Sequence, residues 1–592
     1  MKVVLAALNA KYVHSNLAVY DIEAYIKEKW IREPGNENEL DLVVKEYTIN
    51  HNLDKIMESL YGERPALLAF SCYIWNISEI LTICRELRKV APKLNIWLGG
   101  PEVSYDSVKV LERNDYIDGV ICGEGEQTVY ELVKFYMCNS FQNGLADIRG
   151  IAYRDDNGIH QNKPRPLLSM DEIPFIYKDL SSFENKILYY ESSRGCPFSC
   201  SYCLSSIDKS VRFRNLSLVK NELSFFLDNK VRQVKFIDRT FNCDKKRAHE
   251  IWQYLREHDN GVTNFHFEIA ADLIEDDDIE IFRKMRPGLI QLEIGLQSTN
   301  SDTISEIRRV MDIKKLRHNM LAIRQIGNIH QHLDLIAGLP YEDYRSFVRS
   351  FNDAYSMRPD QLQLGFLKVL KGSYMEEQVE EYGLIYRDEQ PYEVLSTKWI
   401  SYGEILKLKL IEEMVEVYYN SRQFEHVLKF LESFYETPFD MFDAIGQYYD
   451  HHGTDGVQYK REARYEMLRS FFIENHDSGR EIFDSLLTFD YYLRENVKTR
   501  PSWSREYPVD KKVYNDFFKS GGTEEISLLR EGYDSKVAAR SMHIEPVFAA
   551  AVSWIDSNRC SENNDSVRYA VFDYDNRDPL TGDAAYTIIS HL

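Results

Sequence analysis

Three of the nine cysteines in the 592-residue chain, Cys196, Cys200 and Cys203, form a C-x3-C-x2-C arrangement. Spacing of this kind is typical of a metal site. A structural zinc site usually needs a second pair of ligands, and the next cysteine, Cys243, stands alone. Three thiolates on a tight loop suit a cubane iron–sulfur cluster whose fourth iron stays open to a substrate or cofactor. The sequence therefore favours an open-site cluster, and the alternative is a zinc site completed by a distant His or Asp.

This loop, with the aromatic Tyr202 directly before its last cysteine, resembles the cluster loop of the radical S-adenosylmethionine (SAM) enzymes. The resemblance implies that Cys196, Cys200 and Cys203 hold a [4Fe-4S] cluster and that the open iron chelates the amino and carboxylate groups of SAM. It further implies that the reduced cluster cleaves SAM to a 5′-deoxyadenosyl radical. The three cysteines are therefore predicted to be both metal ligands and catalytic residues.

Alternating strands and helices surround the loop from residue 188 to residue 371. The predicted strands are Leu188–Ser192, Val234–Ile237, Phe265–Ala270, Leu289–Ile294, His332–Ala337 and Gln361–Val369. The predicted helices between them are Leu218–Asp228, Lys245–Glu257, Asp277–Met285, Ile313–Ile326 and Tyr344–Ser356. This alternation predicts a partial (β/α)6 barrel, the usual radical SAM core, with its site at the carboxyl ends of the strands.

Polar residues stand out at the ends of otherwise apolar barrel strands. They are Asp238, Glu268, Glu293, Gln297 and Asp334. A carboxylate inside a barrel strand needs a partner, and SAM offers an ammonium, a sulfonium and ribose hydroxyls. The alternative is a set of structural ion pairs with Arg239, Arg283 or Arg286.

The resemblance implies a role for each of these positions in cofactor binding. Asp238 falls where the family contacts the methionyl amine, and Glu293 and Gln297 fall near the ribose. Ile336 and Leu339 are expected to flank the adenine, because the run Gly338-Leu339-Pro340 matches the adenine-side motif of the family. Glu268 is expected to contact SAM or to face the substrate.

The first part of the chain, residues 1–140, has five short apolar runs separated by helical segments. The runs are Val3–Leu8, Asp41–Tyr47, Ala66–Tyr73, Asn95–Gly99 and Tyr116–Cys122. Strands that are apolar on both faces predict a doubly wound, Rossmann-like parallel sheet. In such a sheet ligands bind at the carboxyl ends of the strands. No G-x-G-x-x-G follows the first strand, which disfavours a dinucleotide.

Two glycine-bearing turns, Gly99-Gly100 and Gly123-Glu124-Gly125, lie at strand ends of this sheet. Glycine lets a backbone approach a ligand closely, although a tight turn alone explains it equally well. Together with the barrel, the module resembles the cobalamin-binding domain of the B12-dependent radical SAM enzymes, which implies that both turns contact cobalamin. The Asp-x-His-x-x-Gly motif of other B12 proteins is absent, so we expect no lower histidine ligand.

The remaining parts of the chain carry no recognisable chemistry. Residues 141–187 predict a hairpin around Asp155–Gly158 and a linker. Residues 372–592 predict a mostly helical domain, and the tail runs Ala570–Tyr574 and Tyr586–Ser590 are expected to pair as a small sheet. This region resembles the uncharacterised C-terminal domain of some B12-type radical SAM proteins.

The composition of the chain indicates where the protein is located and which partners it binds. A net charge of −22 disfavours nucleic acid as a partner. No stretch has the length of a signal peptide or membrane helix, and nine cysteines without a disulfide pattern suit a reducing compartment, so a cytoplasmic protein is expected. The resemblance implies a low-potential electron donor such as flavodoxin or ferredoxin, and a small-molecule or peptide substrate.

The leading functional hypothesis is a cobalamin-dependent radical SAM methyltransferase that acts on an unactivated centre. A radical rearrangement or cyclisation without methyl transfer is the first alternative. A methylthiotransferase would need a second cluster, and the contexts of Cys72, Cys84 and Cys122 do not favour one. A cobalamin or redox sensor would not need the polar strand ends of the barrel.

Overall fold

A computed structural model describes residues 1–32, 40–138, 141–452, 460–497, 499–504, 506, 511–520, 540–557 and 566–592 of the chain. Within these residues the chain builds two parallel sheets flanked by helices, followed by a mostly helical region. The predicted α/β fold class is confirmed. Of the helices in the described part, none combines the length and the apolar character that crossing a membrane requires.

The first sheet has seven strands, and the first strand of the chain lies between the second and the third. The strands are Lys2–Asn9, Asp41–Thr48, Leu67–Ser71, Asn95–Gly99, Gly119–Ile121, Ile151–Asp155 and Gly158–Gln161. The helices are Leu17–Arg32, Leu53–Gly62, Ile77–Val90, Pro101–Ser104, Ser107–Arg113 and Glu126–Cys138. The first five strands are parallel, and the predicted hairpin joins them as an antiparallel edge.

Both faces of the first strand are covered by helices, which explains its uninterrupted apolar sequence. Val4 and Leu8 lie in one core with the second and third helices. Val3 and Leu5, which point to the opposite face, lie in a separate core with the first helix and the helix Glu126–Cys138. The predicted doubly wound arrangement is therefore present.

The second sheet has six parallel strands that follow one another in space as they do along the chain. The strands are Leu188–Tyr190, Gln233–Phe236, Asn264–Ile269, Ile290–Gln297, His330–Ala337 and Gln361–Phe366. The helices are Leu216–Asp228, Lys245–Glu257, Asp276–Arg283, Ser301–Glu306, Ile313–Ile326 and Tyr344–Ser356. This is the predicted partial (β/α)6 barrel.

Alternation along the barrel strands separates an apolar outside from a polar inside. In the strand Ile290–Gln297, Leu292 and Ile294 are buried in the main core. Glu293 points to the other face, where the pairing register sets it beside Glu268 on one neighbouring strand and His332 on the other. Three titratable side chains therefore lie at one level of the barrel interior.

The C-terminal region packs helices onto the barrel, and its buried side chains continue the barrel core. Its helices are Tyr374–Glu377, Val379–Tyr382, Tyr402–Met414, Glu425–Glu432, Pro438–His451, Arg461–Asn475, Arg480–Arg494, Lys511–Ser520 and Ala549–Ser557, with a π-helical turn at Val415–Asn420. Thr437 and Asp440 form a capping box before the helix Pro438–His451.

Short strands complete the C-terminal region. The two-residue strand Ile385–Tyr386 pairs with Val394–Ser396. The tail forms an antiparallel sheet of Met542–Phe548, Val567–Arg577 and Ala584–Ile589, and its last two strands contain the two runs predicted to pair. Residues 521–539 of the region predicted to be mostly helical lie outside the described residues.

Candidate active site

The cysteine loop follows the first barrel strand and lines a pocket of about 200 Å³ with residues at the carboxyl ends of other barrel strands. Cys196 and Cys200 are buried, and Cys203 is half-buried. Gly195 directly precedes the first cysteine with φ of 92°, and a Cβ there would overlap the carbonyl oxygen of Ser210. Only glycine therefore fits this turn, which presses the loop against the segment that follows it.

The three thiols fit a cluster rather than a single ion. In the described part of the chain, no group of three or more His, Cys, Asp or Glu side chains converges on one metal ion. A cubane cluster does not require such convergence, because each cysteine binds a different iron. The three cysteines around one pocket, with Thr240 Oγ1 3.7 Å from Cys196 Sγ, are a donor set that fits a [4Fe-4S] cluster.

Arg309 supplies positive charge to the cluster loop. Its Nη1 lies 3.8 Å from Cys200 Sγ and 3.3 Å from the Tyr202 hydroxyl oxygen. Burial raises the pKa of Cys200 above its ordinary value, and the Arg309 guanidinium counteracts that rise. The same arginine also donates to the carbonyl oxygen of Gly295 on a barrel strand. Arg309 therefore connects the cysteine loop to the barrel wall.

Asp238 lies beneath the cysteine loop and is fully buried. Its Oδ2 accepts from the Ser192 backbone N–H at 3.0 Å, and its Oδ1 accepts from the hydroxyls of Ser192 and Ser193 at 2.7 and 2.5 Å. Burial raises the pKa of Asp238, and these donors only partly offset the rise. The structure thus places Asp238 as a tether of the loop and outside the lining of the pockets.

A second pocket of about 290 Å³ adjoins the first, and Tyr202, Gln297 and Asp334 line both. The buried Oε1 of Gln297 and Oδ1 of Asp334 have no hydrogen-bond partner among the described residues, although His332 Nε2 lies 3.1 Å from that Asp334 oxygen. Ile336 lines the same pocket. An unpaired amide oxygen and a carboxylate paired only with a histidine, beside an apolar side chain, fit the ammonium, the ribose hydroxyls and the adenine of SAM.

Leu339 lies away from these pockets. It is fully buried in the main core. The adjacent Gly338 has φ of 86°, and a Cβ there would overlap the side chain of Val394. The Gly-Leu-Pro run therefore packs the end of its strand against the segment after the barrel, and of the two expected adenine neighbours the structure brings only Ile336 to the pocket.

Glu293 is held inside the barrel by a lysine and a histidine. Its Oε2 accepts from Lys235 Nζ at 2.9 Å and pairs with His266 Nε2 at 2.8 Å. Burial would raise the pKa of Glu293, but His266 and Lys235 together hold it well below the ordinary value. None of the arginines considered as structural partners takes part. Glu293 lines the cluster pocket as a charged carboxylate.

Glu268 and Arg239 lie where the cluster pocket meets a larger cavity, and each lines both. Burial, reinforced by Glu293, raises the pKa of Glu268 to about 7. Lys235 Nζ is 4.0 Å from the Glu268 carboxylate. Arg239 is exposed, and its side chain makes no ion pair or hydrogen bond with the described residues.

The larger cavity, of about 610 Å³, lies between the carboxyl edge of the first sheet and the barrel. Asn9 and Asn16, around the loop after the first strand, line it from the first sheet together with Tyr73 and Trp75. The rings of Tyr73 and Trp75 stack with centroids 4.4 Å apart and an angle of 8° between their planes. On the barrel side the cavity is lined by Tyr189, Glu191, Arg194, Lys235, Ile237, Arg239 and Glu268. The two sheets therefore share one cavity.

The predicted cobalamin turn Gly99-Gly100 does not line this cavity. Gly100 has φ of 107°, and a Cβ there would overlap the carbonyl oxygen of Cys72. A Cβ on Gly99 would touch Ile121 on the neighbouring strand. Close packing and the positive φ therefore account for Gly100, whereas the contact at Gly99 is an ordinary one that does not require glycine.

In the second predicted turn, Gly123-Glu124-Gly125, one glycine is closely packed and the other borders open space. A Cβ on Gly125 would crowd Ile22, and the Glu124 carboxylate pairs with Arg212 at 2.5 Å. Gly123, with φ of 81°, has no atom near the position of a Cβ. Gly123 is thus the member of the two turns that leaves room for a ligand.

Arg194 joins the cysteine loop to the first sheet. Its guanidinium lies 2.6 Å from Glu126, 2.7 Å from Glu191, 3.4 Å from Glu124 and 3.8 Å from Asp21. Burial opposes the charged form of Arg194, but the carboxylates, led by Glu191 and Glu126, raise its pKa. This ion-pair cluster fixes the start of the cysteine loop against the helix that begins at Glu126.

Two further contacts join the first sheet and its helices to the rest of the chain. The His14 Nδ1 lies 2.6 Å from the Tyr189 hydroxyl oxygen, and burial lowers the pKa of His14. On the other side, Lys371 Nζ lies 2.9 Å from the buried Glu102, and the Tyr392 hydroxyl donates to the same carboxylate at 2.5 Å. The relative position of the two sheets is therefore set at several points.

Sequence reasoning missed several of these residues for different reasons. Lys235 obeys the rule that identified Glu268 and Glu293, a charged residue inside an apolar strand, and that rule would have found it. Arg309 lies 109 positions from Cys200 in the sequence and carries no local signal. The unpaired state of Arg239 depends on what surrounds it in space, so no sequence pattern reveals it.

Three family models match the chain in the order of its structural parts. A B12 binding domain matches residues 3–133, the Radical SAM superfamily matches residues 190–354, and a protein family of unknown function (DUF4080) matches residues 380–569. These matches confirm the two resemblances drawn from the cysteine loop and from the first sheet. A radical SAM domain implies a [4Fe-4S] cluster and SAM, and a B12-binding domain implies cobalamin.

The chain is also similar to individual known proteins. It is 28% identical over 233 residues to the uncharacterized methyltransferase PH0819 of Pyrococcus horikoshii, which covers 37% of this chain and 49% of that protein. It is 24% identical over 345 residues to the cobalamin-dependent radical SAM methyltransferase TokK of Streptomyces tokunonensis, which covers 54% and 50%. The matches thus span about half the length of these curated relatives.

Among solved structures, the fold is similar to that of the cobalamin-dependent SAM radical enzyme OxsB with aqua-cobalamin and SAM bound. The TM-score is 0.57 at 14% identity, over 83% of this chain and 78% of that chain. This likeness shows that the two chains share a fold.

Proposed function

Because the chain is a radical SAM protein with a B12-binding domain before its barrel, we propose that it is a cobalamin-dependent radical SAM enzyme that transfers a methyl group to an unactivated centre of its substrate. One observation carries this proposal. The cavity of about 610 Å³ is lined by both sheets and meets the cluster pocket at Arg239 and Glu268. A substrate at this junction contacts the two cofactor sites at once.

The cysteine loop holds the cluster in this proposal. When bound, the [4Fe-4S] cluster with SAM supplies a 5′-deoxyadenosyl radical, and cobalamin supplies a methyl carrier. Cys196, Cys200 and Cys203 bind three irons as thiolates, and Arg309, 3.8 Å from Cys200 Sγ, stabilises their negative charge. Burial of Cys196 and Cys200 keeps water away from the iron–sulfur bonds.

The two adjoining pockets bind SAM. Tyr202, Gln297 and Asp334 line both pockets, so a ligand they hold extends from the cluster loop into the barrel. Gln297 presents a buried oxygen without a partner among the described residues, and the Asp334 carboxylate pairs only with His332; both side chains accept from the SAM ammonium and ribose hydroxyls. Ile336 supplies apolar surface for the adenine.

The first-sheet wall of the large cavity binds cobalamin. The stacked rings of Tyr73 and Trp75 present a flat surface that suits the corrin ring, and Asn9, His14 and Asn16 offer polar groups for its amide side chains. Glu268, with a pKa of about 7, can hold or release a proton at the junction where the substrate binds.

Radical SAM enzymes need a reductant and a substrate. We propose flavodoxin or ferredoxin as the electron donor and a cytoplasmic location, where such donors and reduced thiols occur.

Anaerobic reconstitution with iron, sulfide and hydroxocobalamin, followed by desalting and metal analysis, tests the proposal first. We expect about four irons per chain and bound cobalt in the same sample. Reduction in the presence of SAM carrying a labelled methyl group should then yield 5′-deoxyadenosine, and mass spectrometry should find a product that has gained one labelled carbon.

A triple variant in which Cys196, Cys200 and Cys203 are replaced by alanine should lose iron, and Cys243→Ala should retain it as the matched control. Protein that retains iron but no cobalt would overturn the proposal that the chain binds cobalamin. Bound cofactors without SAM cleavage would favour a sensor, and an isomerised product without added carbon would favour a rearrangement. An iron content near twice that of one cluster would favour a methylthiotransferase.

A further inference from the structure

Two charged side chains at the junction of the cluster pocket and the large cavity are only weakly paired within the described part of the chain. Arg239 is exposed toward the cavity and forms no ion pair or hydrogen bond with the described residues. Glu268 lies on the neighbouring strand end, with its nearest cation, Lys235, 4.0 Å away. Burial and Glu293 keep its pKa near 7, so its negative charge is not fully stabilised by the protein.

Other charged groups on the cavity wall are already paired. Arg194 is surrounded by Glu191 and Asp21, among other carboxylates. Lys235 donates to Glu293 at 2.9 Å, a closer contact than the one it makes with Glu268. Arg239 and Glu268 do not form an ion pair with each other, although the arginine acts on the pKa of the carboxyl group. Among the described residues, the wall therefore offers a cation, Arg239, that makes no ion pair, beside an acid, Glu268, whose ion pair with Lys235 is long.

We propose that Arg239 and Glu268 together bind the zwitterionic head group of an amino acid substrate, with the carboxylate on Arg239 and the ammonium on Glu268. The assignment rests on the proposed function, because the head group is held where the cluster pocket and the cavity meet. The guanidinium of Arg239 presents paired N–H donors that match a carboxylate. An ammonium beside Glu268 stabilises the charged carboxylate, which the protein alone stabilises poorly.

A zwitterion satisfies both side chains without a change in the net charge of the site. An anion without an ammonium leaves Glu268 unsatisfied, and a cation without a carboxylate leaves Arg239 unsatisfied. Truncation of one partner of a buried charge pair commonly costs about 30-fold or more in affinity. Because the two groups act on opposite ends of one ligand, each should be needed.

The test is equilibrium dialysis of the reconstituted holoprotein against a radiolabelled mixture of the common L-amino acids, with mass spectrometry of the retained ligand. We expect retention of a single amino acid. Its binding should weaken by about 30-fold or more in Arg239→Gln and in Glu268→Gln. The N-acetyl derivative and the carboxamide of the same amino acid should both fail to compete. Arg317→Gln and Glu466→Gln, which change exposed residues elsewhere, serve as matched controls.

Iron, cobalt and substrate-free SAM cleavage are measured on the same preparations. Holoprotein that contains both metals and cleaves SAM but retains no amino acid overturns this inference and leaves the proposed function intact. Retention that is unchanged in either variant, or competition by one of the blocked derivatives, also overturns it. Protein that binds no cobalt overturns the proposed function instead.

Discussion

Replacing Asp238 tests whether this carboxylate positions the cysteine loop or binds SAM. Its two oxygens accept from Ser192 N–H, Ser192 Oγ and Ser193 Oγ at 3.0, 2.7 and 2.5 Å, all within a buried environment. Hydrogen bonds to a charged group contribute about 1.5–3 kcal/mol each, and a buried donor left without an acceptor costs about 1–3 kcal/mol. Asp238→Ala removes all three hydrogen bonds, so we expect it to destabilise the barrel by about 4.5–9 kcal/mol; Asp238→Asn, which keeps one acceptor oxygen, should cost about 1–3 kcal/mol.

The assay combines anaerobic urea denaturation with iron analysis and SAM binding by equilibrium dialysis. A positioning role predicts that stability and iron content fall together, and that SAM binding per retained cluster is unchanged in Asp238→Asn. The double variant Ser192→Ala/Ser193→Ala should reproduce much of the loss of stability, because it removes the same hydroxyl donors. If Asp238→Asn keeps its stability and iron but loses SAM, the positioning argument is refuted and the contact with the methionyl amine is restored.

Three further outcomes follow from the geometry. Gly195→Ala should abolish iron retention, because the added Cβ would overlap Ser210. The control Gly261→Ala has a similar φ of 77° with open space around it, so it should cost only about 1–2 kcal/mol of stability and keep the iron. Equal iron loss in both variants would contradict this. Arg194→Gln leaves buried carboxylates unpaired and should destabilise the protein by about 3–5 kcal/mol, with a parallel loss of cobalt on reconstitution. Burial raises the pKa of both Glu268 and Glu342 to about 7 from the usual 4.5. Their contribution to stability is therefore present in acid and is lost as the pH rises from about 4.5 through 7, so thermal unfolding of Glu342→Gln should depend less on pH over that window; an identical pH profile would exclude the assignment.

Local periodicity was sufficient to predict most of the elements. The apolar run Val3–Leu8 predicted a strand covered on both faces, and two separate helical layers cover it. The strand predicted as Leu289–Ile294 continues to Gln297 in the structure. Its pairing with the next strand shifts register between Gly295 and Gln297, and the sequence pattern did not indicate this bulge. In the region predicted to be mostly helical, the helix Tyr402–Met414 is followed by a π-helical turn, Val415–Asn420. The pairing of the hairpin with the first sheet depends on tertiary contacts and was not predictable.

The site divides in the same way between local and distant information. The cysteine spacing needed no structure, because all three ligands lie on one loop. The strand-end carboxylates could be identified as charged residues in apolar strands, but the groups that surround them could not be predicted. Asp238 faces two serines beneath the loop, whereas Glu268 and Glu293 line the cluster pocket. Which side a strand-end residue faces depends on the twist and closure of the barrel, and those are set by contacts far apart in the chain.

The buried contact between Glu102 and Tyr392 can form only late in translation. The two residues are 290 positions apart, and Lys371 joins the same carboxylate. At about 5–20 residues per second, a ribosome needs about 15–60 s to travel from one to the other. The strands of the first sheet, which end at Gln161, are all translated early in that time, and Glu102 must remain hydrated until its partners emerge. This part of the seam therefore closes only after the last barrel strand, which ends at Phe366, has been translated, whereas the contacts of Tyr189 and Arg194 can form much earlier.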